Sequence, residues 1–150
     1  MKITILAISD SDKHFASAIS EYTKRLGKSI DIQHIKPIKH GTRDQIISKE
    51  TDLILSKITK RKQKWDNIVL LSKGGKAWTT EQFVSKFKPW KTYTIIIWWP
   101  YGLDEKTLQS MIDYRISLWM HTMPHGLAQL VLLEQVYRIN TIHEGKMYHY

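Results

Sequence analysis

The sequence predicts an α/β domain built on a largely parallel sheet with helices on both faces. Three observations carry that expectation. Short β-rich apolar runs alternate with amphipathic segments along the chain; the run Tyr93 to Trp99 is almost continuously apolar; and no linker, repeat or low-complexity stretch interrupts the 150 residues. Alternating strand and helix patterns imply parallel crossover units, and a strand apolar on both sides belongs in the middle of a covered sheet. The length suits one domain, residues 1–150, that buries its own core.

Taken in order, Ile3 to Ile8 reads as the first strand. Phe15, Ile19, Tyr22 and Leu26 then recur at helical spacing and stop at Gly27, a suitable helix breaker. A second strand is expected around Ile30 to Ile38, followed by a long polar helix with Ile47, Ile54 and Ile58 on one face. That helix ends in the basic run Lys57 to Lys64, read as a solvated helix end. The third strand, Ile68 to Leu71, is expected to run into a turn at Lys73-Gly74-Gly75-Lys76, and Thr79 with Gln82 forms a capping box for a short helix through Phe83 and Phe87. Tyr93 to Trp99 is the central strand, Pro100-Tyr101-Gly102 a turn, and Asp104 the N-cap of a helix carrying Leu108 and Ile112. Ile116 to Met120 reads as the last strand. The closing helix after His125 carries Leu127, Leu130, Val131, Leu133, Val136 and Ile139 on more than one stripe, as a helix serving both a core and a dimer interface would.

Composition bounds the function. A formal charge of +9 and a pI near 9.7 favour a polyanionic partner, RNA or DNA, because neutralised phosphates release counterions. The absence of cysteine excludes disulfides, thiolate zinc sites and cysteine nucleophiles together. The amino terminus lacks the pattern of a targeting signal or membrane span, so a cytoplasmic protein with no membrane association is expected. No phosphate-binding or dinucleotide-binding glycine motif and no Ser-His-Asp arrangement is present, and the histidines show no metal-ligand spacing, so no metal site is expected.

Several stretches carry a resemblance. They are Met1 to Ala7, Ile19-Ser20-Glu21-Tyr22-Thr23-Lys24-Arg25-Leu26, the turn Thr122-Met123-Pro124-His125, Leu133-Glu134-Gln135-Val136-Tyr137-Arg138, and the tail Tyr148-His149. In this order they resemble the RlmH family, SPOUT-class enzymes that methylate N3 of a pseudouridine in 23S ribosomal RNA of the large subunit. The resemblance implies a trefoil knot at the carboxyl end, a homodimer, and S-adenosyl-L-methionine held by three loops, with the assembled ribosome or its 23S RNA as partner. By match to the family, those loops are at Leu71, at Trp98, and at Leu118, Trp119, Met120, His121, Thr122 and Met123. His149 is the expected catalytic base, a group whose pKa lies near neutrality, and Tyr148 positions that base or the uracil ring. Arg138 and Gln129 are expected on the RNA-facing side.

Three departures stand beside the resemblance. Trp98-Trp99 occupies the place of a glycine pair, Gln129 that of an arginine, and Tyr150 that of a terminal Arg or Lys. Glycines let a ligand approach the backbone, whereas two indoles need room in the cleft, the core or solvent. Two readings therefore stay open: a methyltransferase with a reshaped cofactor loop, or a catalytically impaired homologue that binds RNA or the ribosome while Trp98 and Trp99 block the cleft.

Overall fold

The computed structural model describes residues 1–9, 12–98, 101–119, 121 and 123–147. Five strands, β1 (Lys2–Ile8), β2 (Ile30–Ile35), β3 (Asn67–Ala77), β4 (Thr92–Ile97) and β5 (Tyr114–Ser117), form one sheet in the order β2-β1-β4-β3-β5, and every neighbouring pair is parallel. The helices are α1 (Ala16–Leu26), α2 (Arg43–Lys62), α3 (Thr80–Lys86), α4 (Glu105–Leu108) and α5 (His125–His143).

The alternation of side chains on β1 and β4 divides the core in two. Ile3, Ile5, Tyr93 and Ile95 face Leu26, Phe83, Leu133 and Val136, on the side of α1, α3 and α5. Leu6, Ile8 and Ile96 face Ile54, Ile58 and Leu108, on the side of α2 and α4. Both strands are thus apolar on both faces, as expected for the centre of a covered parallel sheet.

Local signals fix most helix ends. Gly27, at φ 54°, closes α1, its N–H donating to the Thr23 carbonyl. The Thr79–Gln82 capping box opens α3, and the Asp104 carboxylate caps α4 by accepting from the N–H of Lys106 at 3.1 Å. A second capping box, Thr42 with Gln45, opens α2 and escaped the sequence reading. At the far end of α2 the N–H of Asp66 donates to the Arg61 carbonyl (3.3 Å) and that of Trp65 to Lys62 (3.0 Å). This is the bond pair of a Schellman ending, whose left-handed position glycine usually fills. Here Trp65 fills it, at φ 65° and 91% exposed, at a backbone cost of about 1 kcal/mol.

Several boundaries differ from expectation. β2 stops at Ile35 rather than Ile38, because Pro37 has no N–H to give a ladder. The last strand is Tyr114–Ser117 rather than Ile116 to Met120. α4 ends at Leu108 and passes into a 3-10 turn, leaving Ile112 beyond it. The buried face of α2 runs through Ile46, Glu50, Ile54 and Ile58 at a spacing of four, with Ile47 beside it. Glu50 is accommodated there because its Oε1 accepts the Ile38 N–H at 2.9 Å, although burial raises its pKa.

The largest correction concerns Lys73-Gly74-Gly75-Lys76, which is not a turn. β3 continues through it to Ala77, with a register irregularity against β5 between Leu71 and Lys76. Gly75 makes this possible, since a Cβ there would lie 2.4 Å from the backbone carbonyl carbon of Ile116. Gly74 is open, with its nearest neighbour, the Ser72 hydroxyl, at 3.9 Å. Gly75→Ala is therefore expected to destabilise the protein by about 1–3 kcal/mol in denaturant unfolding, while Gly74→Ala stays near the wild type.

Candidate functional site

Parallel strands all deliver their carboxyl ends to one pole, where an open α/β sheet places its ligands. At that pole Leu71 and Lys73 from β3, Ile97 and Trp98 from the end of β4, and the segment after β5 line a cleft of about 190 Å3, closed on one side by Ala128 of α5. Of the loop residues expected to hold the cofactor, Leu71, Trp98, Leu118, Trp119, His121 and Met123 all line it. Met120 and Thr122 lie outside the described residues, as do Trp99, the proposed catalytic pair Tyr148 and His149, and Tyr150.

The wall is held by polar contacts behind it. Ser72 Oγ donates to Glu105 Oε1 (2.7 Å), and Glu105 pairs with Arg115 at 3.0 Å, so the first turn of α4 is tied to β3 and β5. Ser117 Oγ donates to the Trp119 carbonyl at 2.7 Å, shaping the start of the third loop. Sequence reasoning missed Ser72, Lys73, Ile97, Ser117 and Ala128. Ser72 and Lys73 follow Leu71 directly and were hidden by the mistaken turn; Ala128 carries no signal of its own, since only the packing of α5 brings it to the cleft.

Trp98 is half-buried. It packs on the cluster shared with α2 and α4, and its Nε1 lies 3.4 Å from where a Gly102 Cβ would stand. Gly102, at φ 93°, thus admits the indole edge against the backbone. Trp98 is a wall of the cleft anchored in the core, whereas Trp119 is 63% exposed.

The expected RNA contacts separate. Arg138 is partly exposed and donates through Nη2 to Glu134 Oε1 at 2.8 Å, the pairing of residues one helical turn apart. Gln129 is 1% exposed, so an RNA contact by this side chain is excluded at the surface seen here. The reason is its place on α5, in the stripe Gly126, Gln129, Leu132, Leu133 and Val136 that faces the sheet. Gln129 lies one helical turn from His125, whose pKa is lowered chiefly by burial and then by the nearby His34, against the opposing pull of Asp12. Among the described residues no cluster of three metal-ligating side chains occurs, and no helix is long and apolar enough to cross a membrane.

Comparison with solved structures shows a shared fold. A structure from Bacillus anthracis superposes over 99% of both chains with a TM-score of 0.60 at 15% identity, sharing the fold. The SpoU methyltransferase AviRb from Streptomyces viridochromogenes, solved in complex with the cofactor AdoMet, superposes at a TM-score of 0.53 and 10% identity, over 93% of this chain and 58% of that one. The family model described as "Predicted SPOUT methyltransferase" matches residues 1–149, and the chain belongs to the SPOUT methyltransferase family. Relatives named ribosomal RNA large subunit methyltransferase H match it end to end: 33% identity in Francisella philomiragia and 32% in Streptococcus suis, each over 99% of both chains.

The half-buried His125 resists protonation and gives a pH dependence. Its folded pKa lies below the ordinary value near 6.5, so the unfolded chain takes up its proton first as pH falls. This contribution to stability is complete above about pH 7 and is lost as pH falls through about 6.5 toward the lowered folded value. His125→Asn is expected to flatten the melting-temperature profile over that window, measured against the wild type.

Proposed function

We propose that this protein transfers a methyl group from S-adenosyl-L-methionine to N3 of a pseudouridine in 23S ribosomal RNA, on the assembled large subunit. The observation that carries the reading is the convergence of six family-matched residues on one cleft, beside the middle of β3 and at the carboxyl ends of β4 and β5. The names of its relatives, the AdoMet complex of the superposed AviRb and the charge of +9 support it.

The lining suits the donor. Leu71, Ile97, Leu118 and Met123 offer an apolar bed for an adenine ring, the strand ends offer backbone N–H and carbonyl groups, and Lys73 offers a cation to a carboxylate. When bound, S-adenosyl-L-methionine supplies a sulfonium-activated methyl group, and no metal is required. The chain must align the acceptor nitrogen with it and remove that nitrogen's proton. By the family match His149 takes the proton and Tyr148 orients the base, and Arg138 contacts RNA. The same resemblance supports a cytoplasmic homodimer with a knotted carboxyl-terminal segment; half-buried Leu127, Leu130 and Val131, outside the buried stripe of α5, suit the dimer contact.

One observation favours the second reading, an RNA-binding homologue with a blocked cleft. About 190 Å3 is less than the roughly 300–1,000 Å3 of ordinary ligand pockets, and Trp98 is anchored in its wall. Calorimetric titration with S-adenosyl-L-methionine separates the two. Methyl transfer requires measurable heat and a melting temperature that rises with the donor, corresponding to about 2.7 kcal/mol at a hundredfold excess over Kd. Absence of both, with binding gained in Trp98→Gly, establishes the blocked cleft. In an active protein, His149→Ala is expected to lower kcat for large-subunit methylation by about 10²–10⁴-fold while donor affinity is retained.

A further inference from the structure

The opposite pole of the sheet carries a second surface that the donor site does not use. β4 has six residues, so its amino end lies roughly 20 Å from the cleft. There Trp65, 91% exposed, and Trp90, 77% exposed, line one groove of about 610 Å3 together with Lys62, Asp66, Lys91 and Asp113.

Neither indole is explained by packing. Trp65 gains almost no burial and occupies the left-handed position of a helix ending where glycine costs nothing. A strained position bearing a large exposed ring points to a role outside the fold. The charges around it agree. Asp113 is held by Lys62 Nζ at 2.6 Å and by the Ile68 N–H at 2.7 Å. Asp66 accepts from the hydroxyls of Thr92 (2.8 Å) and Thr94 (2.7 Å) and lies 3.9 Å from Arg61. With both carboxylates engaged, exposed Lys64 and Lys91 have no ionic partner among the described residues. Flat aromatic faces beside free cations match the chemistry of single-stranded nucleic acid, in which bases stack and phosphates meet lysines.

We propose that this pole docks single-stranded RNA, with Trp65 and Trp90 stacking on bases while Lys64 and Lys91 face the phosphates. The inference rests on the RNA-directed reading above and adds to it a contact remote from the methylated nucleotide, by which a small domain gains hold on its substrate. A second copy of the chain is the competing occupant, but the unpaired lysines on both copies would oppose that contact.

The test uses the whole protein and a short fluorescein-labelled oligoadenylate at low and high salt, with Trp65→Gly, Trp90→Ala and the double variant. The wild type is expected to bind with salt-sensitive affinity and quenched tryptophan fluorescence. The double variant should bind at least about tenfold more weakly and lose most of that quenching. Trp65→Gly should melt at a higher temperature than the wild type while binding RNA more weakly, a combination that a purely structural tryptophan would not produce. Undetectable oligoadenylate binding by the wild type, or equal affinity in the double variant, overturns the proposal. A changed sedimentation mass with unchanged RNA affinity also overturns it and assigns the face to a second copy. Titration of S-adenosyl-L-methionine into the same samples reads the donor site separately, so failure there leaves the RNA result to be judged on its own.

Discussion

Burial of β1 and β4 on both faces is the constraint on which the rest of the structure depends. Strands apolar on both sides must be covered on both sides, and in a parallel sheet the covering helices are the crossovers themselves. That demand places α1, α3 and α5 on one face and α2 and α4 on the other. It also sends every carboxyl end to one pole and every amino end to the other. The strand-end cleft and the tryptophan-bearing groove are consequences of this polarity. The first is built from loops that leave strands, and the second from segments that lead into them.

The close contact of β3 with β5 transmits the constraint to the cleft. Because Gly75 lets the Ile116 backbone approach, β3 can extend past Leu71 instead of turning away. Ser72 and Lys73 thereby remain at the cleft edge, and the Ser72–Glu105–Arg115 chain braces them. Trp98 is fixed by a different balance: its indole replaces space that glycine would leave open and is retained by packing on the core beneath and by Gly102 alongside. The cleft accordingly has a core-anchored wall at Trp98 and an exposed rim at Trp119.

Much of the fold was legible in the sequence, for identifiable reasons. The Gly27 stop and the Thr79–Gln82 box are local signals that held, and the doubly apolar run read from Tyr93 to Trp99 is a central strand that ends at Ile97. Local pattern failed where a distant partner decides. Nothing near Gly74-Gly75 says that Ile116 will lie against it, so a Gly pair read as a turn. Periodicity on α2 was counted from apolar residues alone, so a buried Glu50 shifted the face from Ile46 to Ile47. At the site, three loops were named by family match, and Leu71, Trp98, Leu118, Trp119, His121 and Met123 line one cleft. The burial of Gln129 was not, since it depends on how α5 rotates against the sheet. Exposed Trp65 and Trp90 were passed over because exposure cannot be read from residue type.

The central claim is that the strand-end cleft receives the methyl donor, and the most direct measurement is amide hydrogen exchange with and without S-adenosyl-L-homocysteine. The account predicts slowed exchange in residues 71–73, 97–98 and 117–123, with the Trp65 and Trp90 pole unchanged. Protection confined to other segments, or no protection under saturating conditions, would contradict it.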